Sequence, residues 1–290
     1  MYIYNNIFNV IGPLLTSSQI VKSFINTKKY HDFHLLNQSP WPFLAAYGVF
    51  FLILSNVLYM FFFTKSKILI LFAVVLVALS LVSWWRDVTR ESNPAEEFYN
   101  HTPKVQSGLR SGMAYFIFTE VMFFIGFFWA FFTLSINASV EFDGMWPPRG
   151  ITPIDAQKEP LWNTYILLFS GVFATISHIA VRLNFIKITV FCLLAAIILG
   201  LGFSWAQGLE YAEAAFSLSD SSFGSVFYLL TGFHGFHVFI GTLFLIVCMV
   251  KGWNFTFTSN NHVGLESALW YWHFVDIVWL AVFFLVYYNI

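Results

Sequence analysis

The stretch "GMAYFIFTEVMFFIGFFWAFF", residues 112–132, contains one charged residue, Glu120, in a run of Phe, Ile, Val and Met. A run of this kind can cross a bilayer, whose hydrocarbon core of about 30 Å takes roughly 20 apolar residues in a helix. The sequence has seven such runs, at about 42–64, 67–85, 106–136, 162–182, 187–209, 223–251 and 265–288. Lipid offers the backbone no hydrogen bonds, so each run is expected to close its own ladder as a helix. The third and sixth exceed the hydrocarbon thickness and are expected to tilt or protrude. The expected fold is therefore an all-α membrane protein with seven transmembrane helices. Residues 41–290 form one seven-helix domain without an internal repeat, and residues 1–40 form an extramembrane arm. "MYIYNNIFNVIGPLL" has no basic start and no uninterrupted apolar core, so it does not read as a signal peptide.

Composition excludes several other classes. Charged residues make up 10% of the chain, against ~25% in soluble domains, and mean hydropathy is +0.71. The net charge of −1, with no basic run and no Gly-rich phosphate loop, gives nucleic acid nothing to bind. Cys192 and Cys248 both lie in apolar runs, which suits core packing better than a disulfide framework or a thiolate metal site. Lys22, Lys28, Lys29, Arg86, Arg90, Lys104, Arg110, Arg182, Lys187 and Lys251 fall on one side of the seven spans. Only Lys65, Lys67, Arg149 and Lys158 fall on the other. This asymmetry predicts an inside N-terminus and an outside C-terminus.

Ionisable groups inside spans are costly and are candidates for function. They are Glu120, His178, His234, His237, His273 and Asp276, with Glu210 and Glu213 near the end of span five. Glu120 has no basic residue three or four positions away, so it reads as a carboxyl buried without a cation. Burial of that kind favours the neutral form and suits proton exchange as well as structural hydrogen bonding. His234 and His237 share a helix face in "TGFHGFHVFIG". A buried metal needs three or four convergent ligands, and the other span histidines lie in other segments, so packing or hydrogen bonding is the expected role and no metal site is expected. Gly232, Gly235 and Gly241 beside them suit close helix packing. His273 and Asp276 are spaced to satisfy one another, with a proton relay as the lesser reading, and Glu210 with Glu213 reads as a solvated helix end or as a pair that collects protons or binds partner subunits. Trp84, Trp85, Arg86 and Arg90 in "SWWRDVTRES", with His101 and Lys251 on the same side, read as an aromatic and basic belt or as phospholipid headgroup sites.

Several stretches in order resemble cytochrome c oxidase subunit III, of the haem–copper oxidase family. They are "SPWPF", "SWWRDVTRES", "HTPKVQSGLRSGMAYFIFTEVMFFIGFFWAFF", "GMWPPRGI", "TGFHGFHVFIGTLFLIVC" and "ALWYWHFVDIVWL", and the resemblance runs from about residue 39 to the C-terminus. It implies two N-terminal helices and a five-helix bundle separated by a lipid-filled, V-shaped cleft. It implies a core subunit of the proton-pumping oxidase that reduces oxygen with electrons from cytochrome c. Such a subunit has no cofactor of its own, with haem and copper in partner subunits I and II. Its expected work is to assist proton uptake, bind structural phospholipids and stabilise the catalytic subunit. Accessory oxidase subunits and a respiratory supercomplex are further implied partners. Carried over by motif, Glu120 is the intramembrane carboxylate. Trp85, Arg90, Glu91, His101, Lys251, His262 and Trp270 are lipid-site residues, for phosphatidylglycerol, phosphatidylethanolamine or cardiolipin.

The chain departs from the family pattern in four places. "NPAEEFYN" lengthens the connection between helices two and three, Asn261 stands where a His is common, His178 stands alone where a His pair is common, and the arm before Ser39 is long. The resemblance implies the mitochondrial inner membrane, which the 37 Phe of an AT-rich organelle genome would suit, or else a bacterial plasma membrane. A quinol oxidase subunit is the nearer alternative, disfavoured by the two extra N-terminal spans. A proton-coupled transporter would show broken helices or an inverted repeat, and neither is visible in the sequence.

Overall fold

The computed structural model describes residues 33, 38–63, 65–93, 101–138 and 144–288. The arm expected over residues 1–40 and the connection over 94–100 lie almost wholly outside these. Among the described residues there are seven long helices: α1 Trp41–Met60, α2 Ser66–Glu91, α3 Pro103–Ile136, α4 Glu159–Arg182, α5 Ile186–Glu213, α6 Ser222–Trp253 and α7 Val263–Val282. A π-helical turn, Phe283–Tyr287, continues α7. Each is long and apolar enough to cross a membrane. The helices begin and end within a few residues of the apolar runs, with two informative differences. α2 continues past Trp85 to Glu91, because nothing before Asn93 and Pro94 opposes a helix. α5 continues through "GLEYAE" to Glu213, a segment rich in helix-forming Leu, Glu and Ala.

Local chemistry sets the helix ends. Pro42 and Pro160 occupy first-turn positions, where a missing N–H costs nothing. Ser221 caps α6, its Oγ accepting from the Gly224 N–H at 3.2 Å. Before this cap, Asp220 accepts from the hydroxyl and the N–H of Ser217, both at 2.7 Å, and these bonds hold its carboxyl below the usual range. α1, α4 and α6 all end in the same way. Phe62, Asn184 and Phe255 take left-handed φ values of 65°, 62° and 54°. The next residue donates back five positions, Phe63 to Leu58, Phe185 to Ala180 and Thr256 to Lys251. This is the Schellman arrangement, which satisfies carbonyls that the helix leaves open.

The chain divides into two compact units. One is built on α1 and α2 through Trp84, with the first turns of α3 through Ser107. In it α1 meets α2 at Gly48, where a Cβ would lie 2.8 Å from Val77 Cγ2. The other unit takes in Trp85 onward from α2 and Gly108 onward. In it α4, α5, α6 and α7 pack in sequence, and α7 returns to α4. Trp272 of α7 is fully buried at the centre. A Cβ on Gly200 would come within 2.6 Å of its ring, and one on Gly241 within 2.9 Å. Its Nε1–H donates to Ser170 Oγ at 2.9 Å, and Trp279 Nε1–H donates to Thr164 Oγ1 at 2.9 Å. These two indole N–H groups are thus tied across helices, as suits polar atoms in a membrane bundle. α3 joins by ring contacts, with Phe123 and Phe127 each 5.1 Å from Phe233. Of the three glycines expected to allow close packing on α6, Gly241 does so, while Gly232 and Gly235 face open space.

Candidate functional site

Glu120 lies midway along α3, with 23% of its side chain exposed. The expectation of an unpaired carboxyl is corrected here, because Glu120 Oε2 sits 2.8 Å from His237 Nε2 on α6. The other ring nitrogen, Nδ1, lies 2.6 Å from the Phe233 carbonyl oxygen. A carbonyl only accepts, so Nδ1 carries a hydrogen and donates it. Nε2 then presents a lone pair to Glu120 unless it too is protonated. Two bare lone pairs do not approach to this distance, so one proton lies between carboxyl and imidazole, on either side. Phe124, with its ring 5.0 Å from that of His237, and Tyr271, at 6.3 Å, wall the pair. A carboxyl and an imidazole are therefore hydrogen-bonded to each other inside a membrane span.

His234, one turn away, is fully buried and donates from Nε2 to the Val275 carbonyl at 3.2 Å, a packing role. His273 and Asp276 approach to 3.7 Å, which is too long for the direct hydrogen bond expected from their spacing. His273 Nε2 meets Thr175 Oγ1 at 3.3 Å instead. Glu213 is exposed, but Glu210 is only 2% exposed, which corrects the solvated-end reading of this pair. The longer α5 carries Glu210 against the end of α7, where Tyr287 O–H donates to Oε1 at 2.5 Å and Gln207 at 3.2 Å.

The lipid-site residues fall into three settings. Trp85 and Arg90 are exposed on α2, and Glu91 closes that helix. Lys251, in the last turn of α6, donates from Nζ to Ser92 Oγ at 2.6 Å. Asn261 Nδ2–H donates to the Ser92 carbonyl at 2.8 Å, so the residue that departs from the family's usual His ties its loop to the end of α2. His101 is buried at the start of α3, and its carbonyl accepts from Gln106 at 3.0 Å. Trp270 is partly exposed on α7, whereas His262 is 6% exposed and turned toward Glu266.

Glu266 was not singled out from the sequence, and the structure makes it a hub. Its Oε2 accepts from Arg110 Nε at 2.6 Å. Its Oε1 faces His262 Nε2 at 3.2 Å and His178 Nε2 at 4.0 Å. The four-residue step from His262 to Glu266 in "HVGLE" is the local signal that would have found it.

A family model described as cytochrome c oxidase subunit III matches residues 31–289, which hold every site residue from Trp85 to Tyr287. The chain belongs to the cytochrome c oxidase subunit III family. It is 46% identical to cytochrome c oxidase subunit 3 of Myxine glutinosa over 261 residues, 90% of this chain and 98% of that protein. Against the Triticum aestivum protein of the same name it is 46% identical over 257 residues, 89% of this chain and 96% of the other. Against that of Marchantia polymorpha it is 44% identical over 263 residues, 91% and 98%. Cytochrome c oxidase subunit III is a multi-pass membrane subunit of respiratory complex IV, non-catalytic in itself, and the seven apolar helices found here suit that place.

Proposed function

We propose that this subunit III serves proton uptake into the catalytic subunit through the Glu120–His237 pair and binds structural phospholipids at the Arg90 end of α2. The observation that carries the proton reading is the 2.8 Å approach of Glu120 Oε2 to His237 Nε2. A group that holds a proton within a span, and keeps part of its surface open, can release and recover it as its surroundings change. The partners in this reading are oxidase subunits I and II, which carry haem and copper, with accessory subunits around them. α1, α2 and α3 bury only 11% of their most apolar windows, against 61% for α7. Surface of that extent on a membrane helix is covered by lipid or by neighbouring subunits. The charge asymmetry of the loops favours an N-terminus on the matrix side of the mitochondrial inner membrane.

Replacing Glu120 by Gln tests the proton role. The amide still donates to His237 Nε2 but no longer titrates. In the purified oxidase, proton uptake followed with a pH dye after mixing with oxygen should slow, while reduction by cytochrome c proceeds at the wild-type rate. Uptake at the wild-type rate in this variant would remove the proton role. The headgroup reading rests on Trp85, Arg90, Glu91, His101, Lys251, His262 and Trp270. The exposed Trp85 and Arg90 and the Lys251–Ser92 contact support it most directly.

A further inference from the structure

We infer that His178, His262 and Glu266 form a binding site for one divalent transition-metal ion of the zinc class. The three come from two distant segments, the end of α4 and the start of α7, and one ligand atom from each lies within 4.8 Å of the others. In a tetrahedral zinc site with bonds near 2.0–2.1 Å, ligand atoms lie about 3.3 Å apart. Glu266 Oε1 is 3.2 Å from His262 Nε2 and 4.0 Å from His178 Nε2, so small rotations bring all three onto one ion.

The hydrogen-bond pattern leaves the ligand atoms open to a cation. His262 Nδ1 lies 3.0 Å from the Thr258 carbonyl, so that nitrogen bears the hydrogen. Nε2 then turns a lone pair toward a carboxylate oxygen, and the buried Nε2 atoms of both His262 and His178 make no hydrogen bond. Two acceptors held face to face need a proton or a metal cation between them, and only a metal ion would also engage His178 Nε2. A histidine that gives its other N–H to a backbone carbonyl while presenting Nε2 is also the usual posture of a metal ligand. Arg110 takes Glu266 Oε2 and fixes the carboxylate plane, which leaves Oε1 for the ion. Its positive charge moderates affinity without occupying the ligand face. The His178 side chain is 33% exposed while its Nε2 is buried toward Glu266. Two imidazoles and a carboxylate suit zinc-class ions better than magnesium or calcium, which prefer all-oxygen sites. The expectation of no metal site rested on the histidines lying in separate segments, and folding brings two of those segments together.

The inference does not depend on the proton or headgroup readings, and its test uses His178, which neither reading involves. Intact oxidase, stripped with a chelator and titrated with Zn2+, is compared with the His178→Asn complex. Zinc sites on other subunits are common to both samples and cancel. One zinc per complex should bind at least tenfold more weakly in the variant. Identical stoichiometry and affinity would overturn the site. If the variant complex does not assemble, wild-type oxidase soaked in Cd2+ and imaged by cryo-electron microscopy decides the matter. Density bonded to all three side chains supports the site, and none at saturating Cd2+ overturns it.

Discussion

Glu120 and Glu266 are both carboxylates on apolar helices, and what faces each one sets its chemistry. Glu266 meets a guanidinium at 2.6 Å and has two imidazoles on its other oxygen. Glu120 meets one imidazole whose far nitrogen is already committed to a carbonyl. Removing the Glu120 side chain leaves His237 Nε2 in an aromatic wall without a partner, at a cost of about 1–3 kcal/mol. Glu120→Ala should therefore melt earlier than Glu120→Gln, which keeps a donor there. Thermal midpoints of the two purified complexes, in one detergent, check this. Equal midpoints would show that the hydrogen bond adds no stability and that only the proton matters.

The helices are ended and packed by a few positions that a hydropathy pattern does not report. Phe255 takes φ 54° after α6, a conformation that costs an L side chain about 1–2 kcal/mol and glycine nearly nothing. The ring is 68% exposed, so little packing is lost with it. Phe255→Gly is expected to raise the unfolding midpoint of the subunit, measured by differential scanning calorimetry of the complex, and a lowered midpoint would mean the ring has contacts in the assembly that outweigh the strain. Inside the bundle the sign reverses. Gly200 lets α5 close on Trp272, and any Cβ there meets the ring at 2.6 Å. Gly200→Leu is expected to destabilise by several kcal/mol through overpacking, visible as loss of assembled oxidase on native gels.

For the whole molecule, burial divides the helices by task. α4 to α7 bury 39–61% of their most apolar windows among themselves, while α1 to α3 bury 11%. The first group packs mainly on itself, and the second leaves most of its surface uncovered by its own unit. The proposed headgroup site lies at the basic end of α2, at Arg90 and the Lys251–Ser92 contact. Arg90→Ala is expected to lower the phospholipid retained per complex and to shorten activity during sustained turnover, read by lipid mass spectrometry and oxygen consumption. Equal lipid content and equal durability would reject the headgroup site. Much of this large-scale picture was legible in the sequence. Span number and order follow from apolar length, and the motifs around Glu120, His237 and Asp276 identify the family. The placing of Glu210 was not legible, because it depended on α5 running four residues past the expected end and on a tyrosine near the C-terminus.

The sequence alone determined that the chain spans a membrane with seven helices, which family it belongs to, and which few residues are too costly in lipid to be there without reason. These are local properties, since hydropathy over about 20 residues decides helix and span without reference to any partner. The tertiary structure alone decided what those residues face. Glu120 meets His237 across 117 positions, and Arg110 meets Glu266 across 156. No spacing rule reaches that far. Helix rotation and the close approach that Gly200 and Gly241 permit around Trp272 help set which side chains share a face, and that geometry puts an imidazole beside the Glu120 carboxyl and gathers His178, His262 and Glu266 from separate segments.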